Sequence, residues 1–355
     1  MTLLKFDGFE GYSSPGDAEN ANGIIGDLSG SVWSYQTGRN GGKCIRYNAN
    51  NLYRGVITLN FPSIDNSRVG ILGVAVNHHY FFKSTSTTYP SIGFGADNGS
   101  RFVAYLNDSG VLTFGTWNGY LMDYDTVQLK LDQWYYMEVK YKCHDTTGIS
   151  QFRLDEQLIY DFSGDTKNNT TGNTDLDYGH LISGYYWNHN LQWVEFDDVY
   201  IADDQGTENN DFLGDIRIDV INPNGAGNYT QLTPSAGNNY QCIDEIAMDE
   251  ADYVEGITPG NKDSYTYGSV PTDLDDAAIF GLQIRNHCRR TAPTDNIKID
   301  PFIRTGSTDY SQTTLDLSDS FRESQGDIKE KDPSDSGDWT QAKINACEFG
   351  MEVAN

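Results

Sequence analysis

The sequence predicts an all-β chain built as two antiparallel β-sandwiches. Three observations lead there. Within Trp134–Lys142, apolar and polar side chains alternate, the period of a strand with one buried and one wet face. Phe152 to Phe162 continues the pattern across Asp155-Glu156, a turn pair that makes a hairpin with Leu154, Leu158, Tyr160 and Phe162 as inward residues. Val194 to Asp203, VEFDDVYIAD, supplies a further strand. Strands of this kind need a second sheet over their apolar face.

At 355 residues the chain exceeds one ordinary sandwich core, so two domains are expected. Its 23 Tyr and 36 Gly suit strands joined by tight turns. Trp339–Cys347 is the best helical segment, and it is short. The formal net charge is −27, from 51 acidic and 24 basic residues. Such a field repels phosphate backbones and anionic lipid, which argues against nucleic-acid and membrane partners. Cys44, Cys143, Cys242, Cys288 and Cys347 are odd in number and form no CxxC pair. Buried single thiols are therefore expected in place of a disulfide framework or zinc site. The opening MTLLKFDGFEGY lacks a basic start followed by an apolar run. No stretch approaches the roughly 20 apolar residues of a membrane span. Synthesis in a cytoplasm, without export by the usual route, is the expectation.

Along the chain, strands are expected at Leu3–Phe6, Cys44–Tyr47, Gly55–Phe61, Val69–Val76, Ser91–Ala96, Phe102–Leu106, Val111–Thr116 and Val127–Leu131. Val69–Val76 is a nearly continuous apolar run and reads as a central strand crowded on both faces. Asn107-Asp-Ser-Gly110 reads as a hairpin connection. After the long polar loop Asp165–Asp177, the strands Leu181–Trp187 and Leu191–Ala202 finish the first domain. Residues 1–204 thus form one sandwich and 205–211 a polar linker. Residues 212–355 form a second, smaller sandwich. Its first strand is read at Ile216–Val220, with others at Ser264–Tyr267, Ala277–Arg289, Ile297–Arg304, Thr313–Leu317 and Phe349–Val353.

Four pieces of the first domain resemble the laminin-G-like, or concanavalin-A-like, jelly-roll family. They are Gly42-Lys-Cys-Ile-Arg-Tyr47, Asp132-Gln-Trp-Tyr-Tyr-Met-Glu-Val139, Phe152-Arg-Leu-Asp-Glu-Gln-Leu158 and Phe196-Asp-Asp-Val-Tyr-Ile201. In that family such positions build the fold and do not catalyse. The second domain resembles a module of tailed-bacteriophage virion proteins. The resemblance lies in Phe212-Leu-Gly-Asp-Ile-Arg-Ile218, Gly225-Ala-Gly-Asn-Tyr-Thr-Gln-Leu-Thr-Pro-Ser235, Asn239-Tyr-Gln-Cys-Ile-Asp-Glu245 and Asn345-Ala-Cys-Glu-Phe-Gly350. It implies a structural protein on the particle exterior, made in the host cytoplasm and released by lysis. Its implied partners are other virion proteins of the capsid or tail, a host-surface glycan, and further copies of itself.

Catalytic constellations are not legible. Glu195, Asp197 and Asp198 come nearest to a glycosidase acid pattern, but adjacent residues of a strand face opposite sides. His78, His79, His180, His189 and His287 have no companion nucleophile elbow. No cofactor is expected, calcium being the one metal weighed. Asp197, Asp198, Asp203 and Asp204 are its candidate ligands, through hard carboxylate oxygens; a solvated acidic turn is the competing reading. Glycan contact calls for aromatic platforms beside polar turn residues. Trp117 and Tyr120 form one candidate set, and Tyr185, Tyr186, Trp187 and His189 the other. The same aromatics suit a sandwich core. The sequence therefore points to a non-enzymatic virion component. Its jelly roll would face outward onto host glycans and its second domain would dock on the particle or form the oligomer. The alternative is a decoration or cement protein of the head.

Overall fold

A computed structural model describes residues 2–20, 25–29, 33–49, 56–80, 90–96, 99–107, 109–115, 121–123, 127–167, 174–183, 192–247, 249–274, 277–291 and 296–355. The chain is almost wholly β and divides into two compact units. The first runs essentially to Ile218 and the second from Asp219, with Gly11–Ser13 and Asn20–Asn22 assigned to the second.

In the first unit the elements are β1 (Leu3–Asp7), α1 (Pro15–Asn20), β2 (Ile25–Ser29), β3 (Trp33–Thr37), β4 (Lys43–Ala49), β5 (Val56–Ile64), β6 (Gly70–His78) and β7 (Pro90–Ala96). They continue with β8 (Gly99–Leu106), β9 (Leu112–Gly115), β10 (Leu121–Asp123), β11 (Trp134–Lys142), β12 (Gly148–Leu154), β13 (Gln157–Gly164), β14 (Leu176–Ser183) and β15 (Gln192–Asp203). They make two antiparallel sheets. One has the order β13-β12-β11-β6-β15-β4-β3, with β1 also on β15; the other is β10-β9-β8-β7-β14-β5-β2. The hairpins β3-β4, β7 to β10 and β11 to β13 stay within one sheet, and the chain crosses to the other sheet between them and at β5, β6, β14 and β15, as in a jelly roll. Phe114 of β9 meets Phe152 and Tyr160 of the facing sheet at ring-centroid distances of 5.0 and 4.9 Å, which locates the core between the layers.

The expected central strand is β6, buried at every residue and flanked by β11 and β15. Gly73 lets the Tyr200 ring lie against it, since a Cβ there would stand 2.1 Å from a ring carbon. The turn at Asp155-Glu156 has positive φ at both residues (46° and 66°), the two-residue hairpin geometry that follows strand twist.

Several expectations need correction. Leu158 is exposed, because a register shift after Phe152 places it opposite Arg153 on the outer face. Val127–Leu131 contributes only an isolated bridge, Val111 to Gln128. Ile216–Val220 forms no strand. Residues 205–218 group with the first unit, the division between the two units falling after Ile218. The physical reason is a strap of hydrogen bonds. Gly214 N–H donates to Glu138 Oε1 at 3.0 Å, Leu213 N–H to the Tyr200 hydroxyl at 3.1 Å and Ile218 N–H to Asp198 Oδ1 at 2.7 Å. Phe212 sits under both Lys140 and Arg153, each 4.4 Å from its ring centroid. The strap covers Glu138, which alternation alone assigned to solvent; it is 1% exposed.

The second unit holds β16 (Pro223–Thr230), β17 (Thr233–Pro234), β18 (Val254–Glu255), β19 (Lys262–Tyr267), β20 (Arg285–Cys288), β21 (Lys298–Thr305), β22 (Thr308–Ser311), β23 (Leu315–Asp316), β24 (Arg322–Gln325), α2 (Gln341–Asn345) and β25 (Glu348–Ala354). A six-stranded antiparallel sheet, β16-β19-β25-β21-β22 with β23 on β21, is accompanied by the ribbons β17-β18 and β20-β24. Ile303 and Phe349 of the sheet pack with Ile284, Trp339, Ile344 and Cys347. The covering layer is tied by the bridges Ile279–Trp339 and Leu282–Lys329. Of the expected strand Ala277–Arg289, only β20 is regular. α2 begins at Thr340, whose hydroxyl accepts from Lys343 N–H at 3.2 Å, an N-cap within the expected helical segment. Among the described residues no helix is long and apolar enough to cross a membrane.

Candidate functional site

Three neighbouring strands of the first unit place a polar and aromatic cluster on the outer face of its eight-stranded sheet. The register sets Glu195 of β15 opposite Asn77 of β6 on one side and Arg46 of β4 on the other. Trp193 stands two residues before Glu195 and so shares its face. Past the end of β6, His79 N–H donates to the Trp193 carbonyl at 3.2 Å, which holds the His79 ring beside the cluster.

Glu195 is 4% exposed and its carboxylate is fully engaged. Oε1 accepts from Arg46 Nε at 2.8 Å and from Arg46 Nη2. Oε2 accepts from Asn77 Nδ2 at 3.1 Å and meets His79 Nε2 at 2.8 Å. The other His79 ring nitrogen, Nδ1, lies 2.6 Å from Asp132 Oδ1, a largely exposed carboxylate. Around the half-buried Trp193, the Arg46 guanidinium lies 5.2 Å from the indole centroid and the His79 ring 5.7 Å from it. These are charge-assisted and cation–π contacts, each short and mutually consistent. Chemically the arrangement is a fixed indole with donors and acceptors at its rim. A carboxylate whose two oxygens carry four bonds has little capacity left to take a substrate proton or attack an anomeric carbon. Next in line, His78 turns inward; burial drives it down to about 3, so its ring is neutral.

The cluster was only partly legible. Glu195 and His79 stand out in the sequence, but Arg46, Asn77, Asp132 and Trp193 come together only once the order β6-β15-β4 is known. The available signal was the outward phase of Arg46 within Cys44–Tyr47 and of Trp193 ahead of Glu195.

The expected glycan-contact residues Trp117, Tyr120, Tyr185, Tyr186, Trp187 and His189 lie outside the described residues. The four calcium candidates are described and do not gather around one point. A bulge in β15 between Asp197 and Tyr200, with Asp198 at φ 46°, overrides the alternation that would have separated Asp197 from Asp198. Both carboxylates converge on Arg39, Asp197 Oδ2 accepting from its backbone N–H at 3.1 Å and Asp198 Oδ2 from Nε at 2.7 Å. Asp203 is fully buried and ion-paired with Arg68, and Asp204 is exposed. The guanidinium of Arg39 supplies the positive charge that this acidic pair requires. Among the described residues no group of three or more His, Cys, Asp or Glu side chains is arranged to hold a metal. Beside this pair, Glu10 is pushed up to about 9 by burial, with Asp197, Asp198 and Asp7 adding repulsion.

No protein-family model matches the sequence, and no curated protein matches it. Solved structures do. A double mutant of the alginate lyase Aly36B in complex with alginate tetrasaccharide is 14% identical, covering 57% of this chain and 97% of its own, with a TM-score of 0.38. The cellulose-induced protein Cip1 is 14% identical over 48% of this chain and 85% of its own, with a TM-score of 0.37. The carbohydrate recognition domain of Emp47p is 10% identical over 50% and 91%, with a TM-score of 0.33. The jelly-roll assignment rests on the strand order and pairing given above.

Proposed function

We propose that the chain is a non-catalytic contact protein whose jelly roll binds glycans, carried on the exterior of a tailed-bacteriophage particle. The observation that carries the glycan reading is Trp193. It is a half-buried indole, held in place by Arg46 and His79, with Glu195 fixing both. A rigid aromatic platform with polar groups at its rim suits the apolar face and hydroxyl edge of a sugar ring. The saturation of Glu195 favours binding over bond cleavage. The virion reading is supported by the resemblance of the segments between Phe212 and Gly350 to phage virion modules, and by an acidic charge of −27 that suits many copies held side by side in water. Multiplication over many copies would turn weak single contacts into firm attachment.

Titration of the full chain with neutral and anionic polysaccharides, read by calorimetry, tests the glycan reading. Binding by the unmodified chain and a loss of about tenfold or more in Trp193→Ala are expected. No binding to any polysaccharide would overturn it. Release of reducing sugars during the titration would replace it with an enzymatic reading. For the particle, mass spectrometry of purified virions should find the chain. Particles that bind cells normally without it but burst on heating would favour the cement alternative.

A further inference from the structure

Two features of the second unit stand apart from its sheet and from the proposed glycan site. The first is a basic ribbon in an acidic molecule. β20 and β24 pair with His287 opposite Glu323 and Cys288 opposite Arg322, and Arg289 and Arg290 follow directly. Phe321, just ahead of β24, is stacked by the His287 ring at 5.3 Å and 14°, and the Arg289 guanidinium lies 4.7 Å from its centroid. Arg289 and Arg322 are exposed, and neither has an ion-pair partner among the described residues. The geometry is a fixed cationic and aromatic plate facing solvent.

The second feature is an acidic arm, residues 244–257. Asp244, Glu245, Asp249, Glu250 and Glu255 are exposed on it. So are Ile246 (58%), Tyr253 (40%) and Ile257 (80%), large apolar groups that gain nothing from water. The arm and the ribbon are neighbours on one molecule, for Glu250 Oε1 lies 3.4 Å from His287 Nε2.

We propose that the ribbon of one chain receives the acidic arm of a second copy. The two patches complement each other in charge and both carry apolar surface. Because they lie side by side, a two-fold axis places each ribbon on the partner's arm, satisfying both contacts at once and closing the pair. Apolar burial of the arm supplies affinity, while the charges supply registry and a strong dependence on salt.

Sedimentation velocity of the full chain at low and high ionic strength tests this. A dimer at low salt that dissociates at high salt is the expected result. Arg289→Glu with Arg322→Glu should weaken association by about tenfold or more. Asp249→Lys with Glu255→Lys should do the same. Mixing the two double variants should restore a dimer, since each then offers what the other lacks. A monomeric unmodified chain at all concentrations overturns the proposal. So does association indifferent to the arginine reversals, or a mixture that fails to pair. Thermal melts check that the variants fold. Should they not fold, the salt titration of the unmodified chain decides, and association that salt leaves unchanged sinks the idea.

Discussion

The Tyr200 hydroxyl donates to Glu138 Oε1 across 2.5 Å, joining β15 to β11 over the glycine gap at Gly73. The pair is buried, and it anchors more than itself. Leu213 N–H donates to the tyrosine oxygen and Gly214 N–H to the carboxylate, so the strap after β15 hangs from these two side chains. Burial raises Glu138 against the pull of those donors.

Tyr200→Phe removes one donor to Glu138 and the acceptor of Leu213 while keeping the ring. A loss of about 2 kcal/mol is expected in urea denaturation of the first unit. Limited proteolysis should show new cleavage within residues 205–218. An uncut strap with lowered stability would mean that the strap is held by Phe212 between Lys140 and Arg153 instead.

Gly73→Ala should be worse than its size suggests. The added methyl would stand 2.1 Å from the Tyr200 ring at the centre of the sheet, with no flexible end to move aside. Overpacking of this kind costs about 1–3 kcal/mol. The denaturation midpoint is the readout, and Tyr200→Leu in the same chain should recover part of the loss.

Glu10 gives the first unit an unusual pH response. It is raised from 4.5 to about 9 chiefly by burial, with Asp197, Asp198 and Asp7 adding to the effect. The folded chain therefore keeps a proton that the unfolded chain has released. This contribution to stability is complete below the ordinary carboxylate range and is lost as the pH rises toward about 9. Glu10→Gln should match the unmodified chain near pH 4 and melt higher near pH 9, with a flatter profile between. Identical profiles for the two proteins would show that Glu10 is ionised in the fold.

What the sequence made legible follows from what each pattern encodes. Alternation places β11 and the apolar run marks β6, because both depend on burial near in sequence. Alternation fails wherever something distant lies over a face or a bulge changes its phase. Glu138 has the pattern of a wet residue and is covered by residues 212–214. Leu158 has the pattern of a core residue and is turned out by a register shift. Asp197 and Asp198 are read as facing apart and are brought onto Arg39 by a bulge. Ile216-Arg-Ile-Asp-Val220 alternates like a strand, yet Ile216 and Ile218 spend their backbone groups on Arg39 and Asp198. The Arg46–Glu195–His79 cluster depends on strand order, which no local period carries.

Asp263 should be the most sensitive single carboxylate of the second unit. It is fully buried on β19 and accepts four bonds. Oδ1 takes the backbone N–H groups of Gln231 and Leu232 at 2.6 and 2.8 Å; Oδ2 takes the Tyr265 hydroxyl at 2.8 Å and Asn239 Nδ2 at 2.5 Å. It thereby ties the β16–β17 connection and Asn239 to the sheet. Asp263→Ala removes the acceptor of four donors; Gln231 N–H and Asn239 Nδ2 keep the Lys262 and Leu232 carbonyls, while Leu232 N–H and the Tyr265 hydroxyl are left facing a void, a loss of about 3 kcal/mol. Asp263→Asn keeps the shape but turns an amide N–H toward donors, so it should recover little. Tyr265→Phe deletes one of the four bonds and should lose only about 1 kcal/mol. In scanning calorimetry the alanine change should lower the transition of the second unit and leave that of the first in place. Equal effects of Asp263→Ala and Tyr265→Phe would show that the backbone donors find water, and that the carboxylate is not what holds this corner.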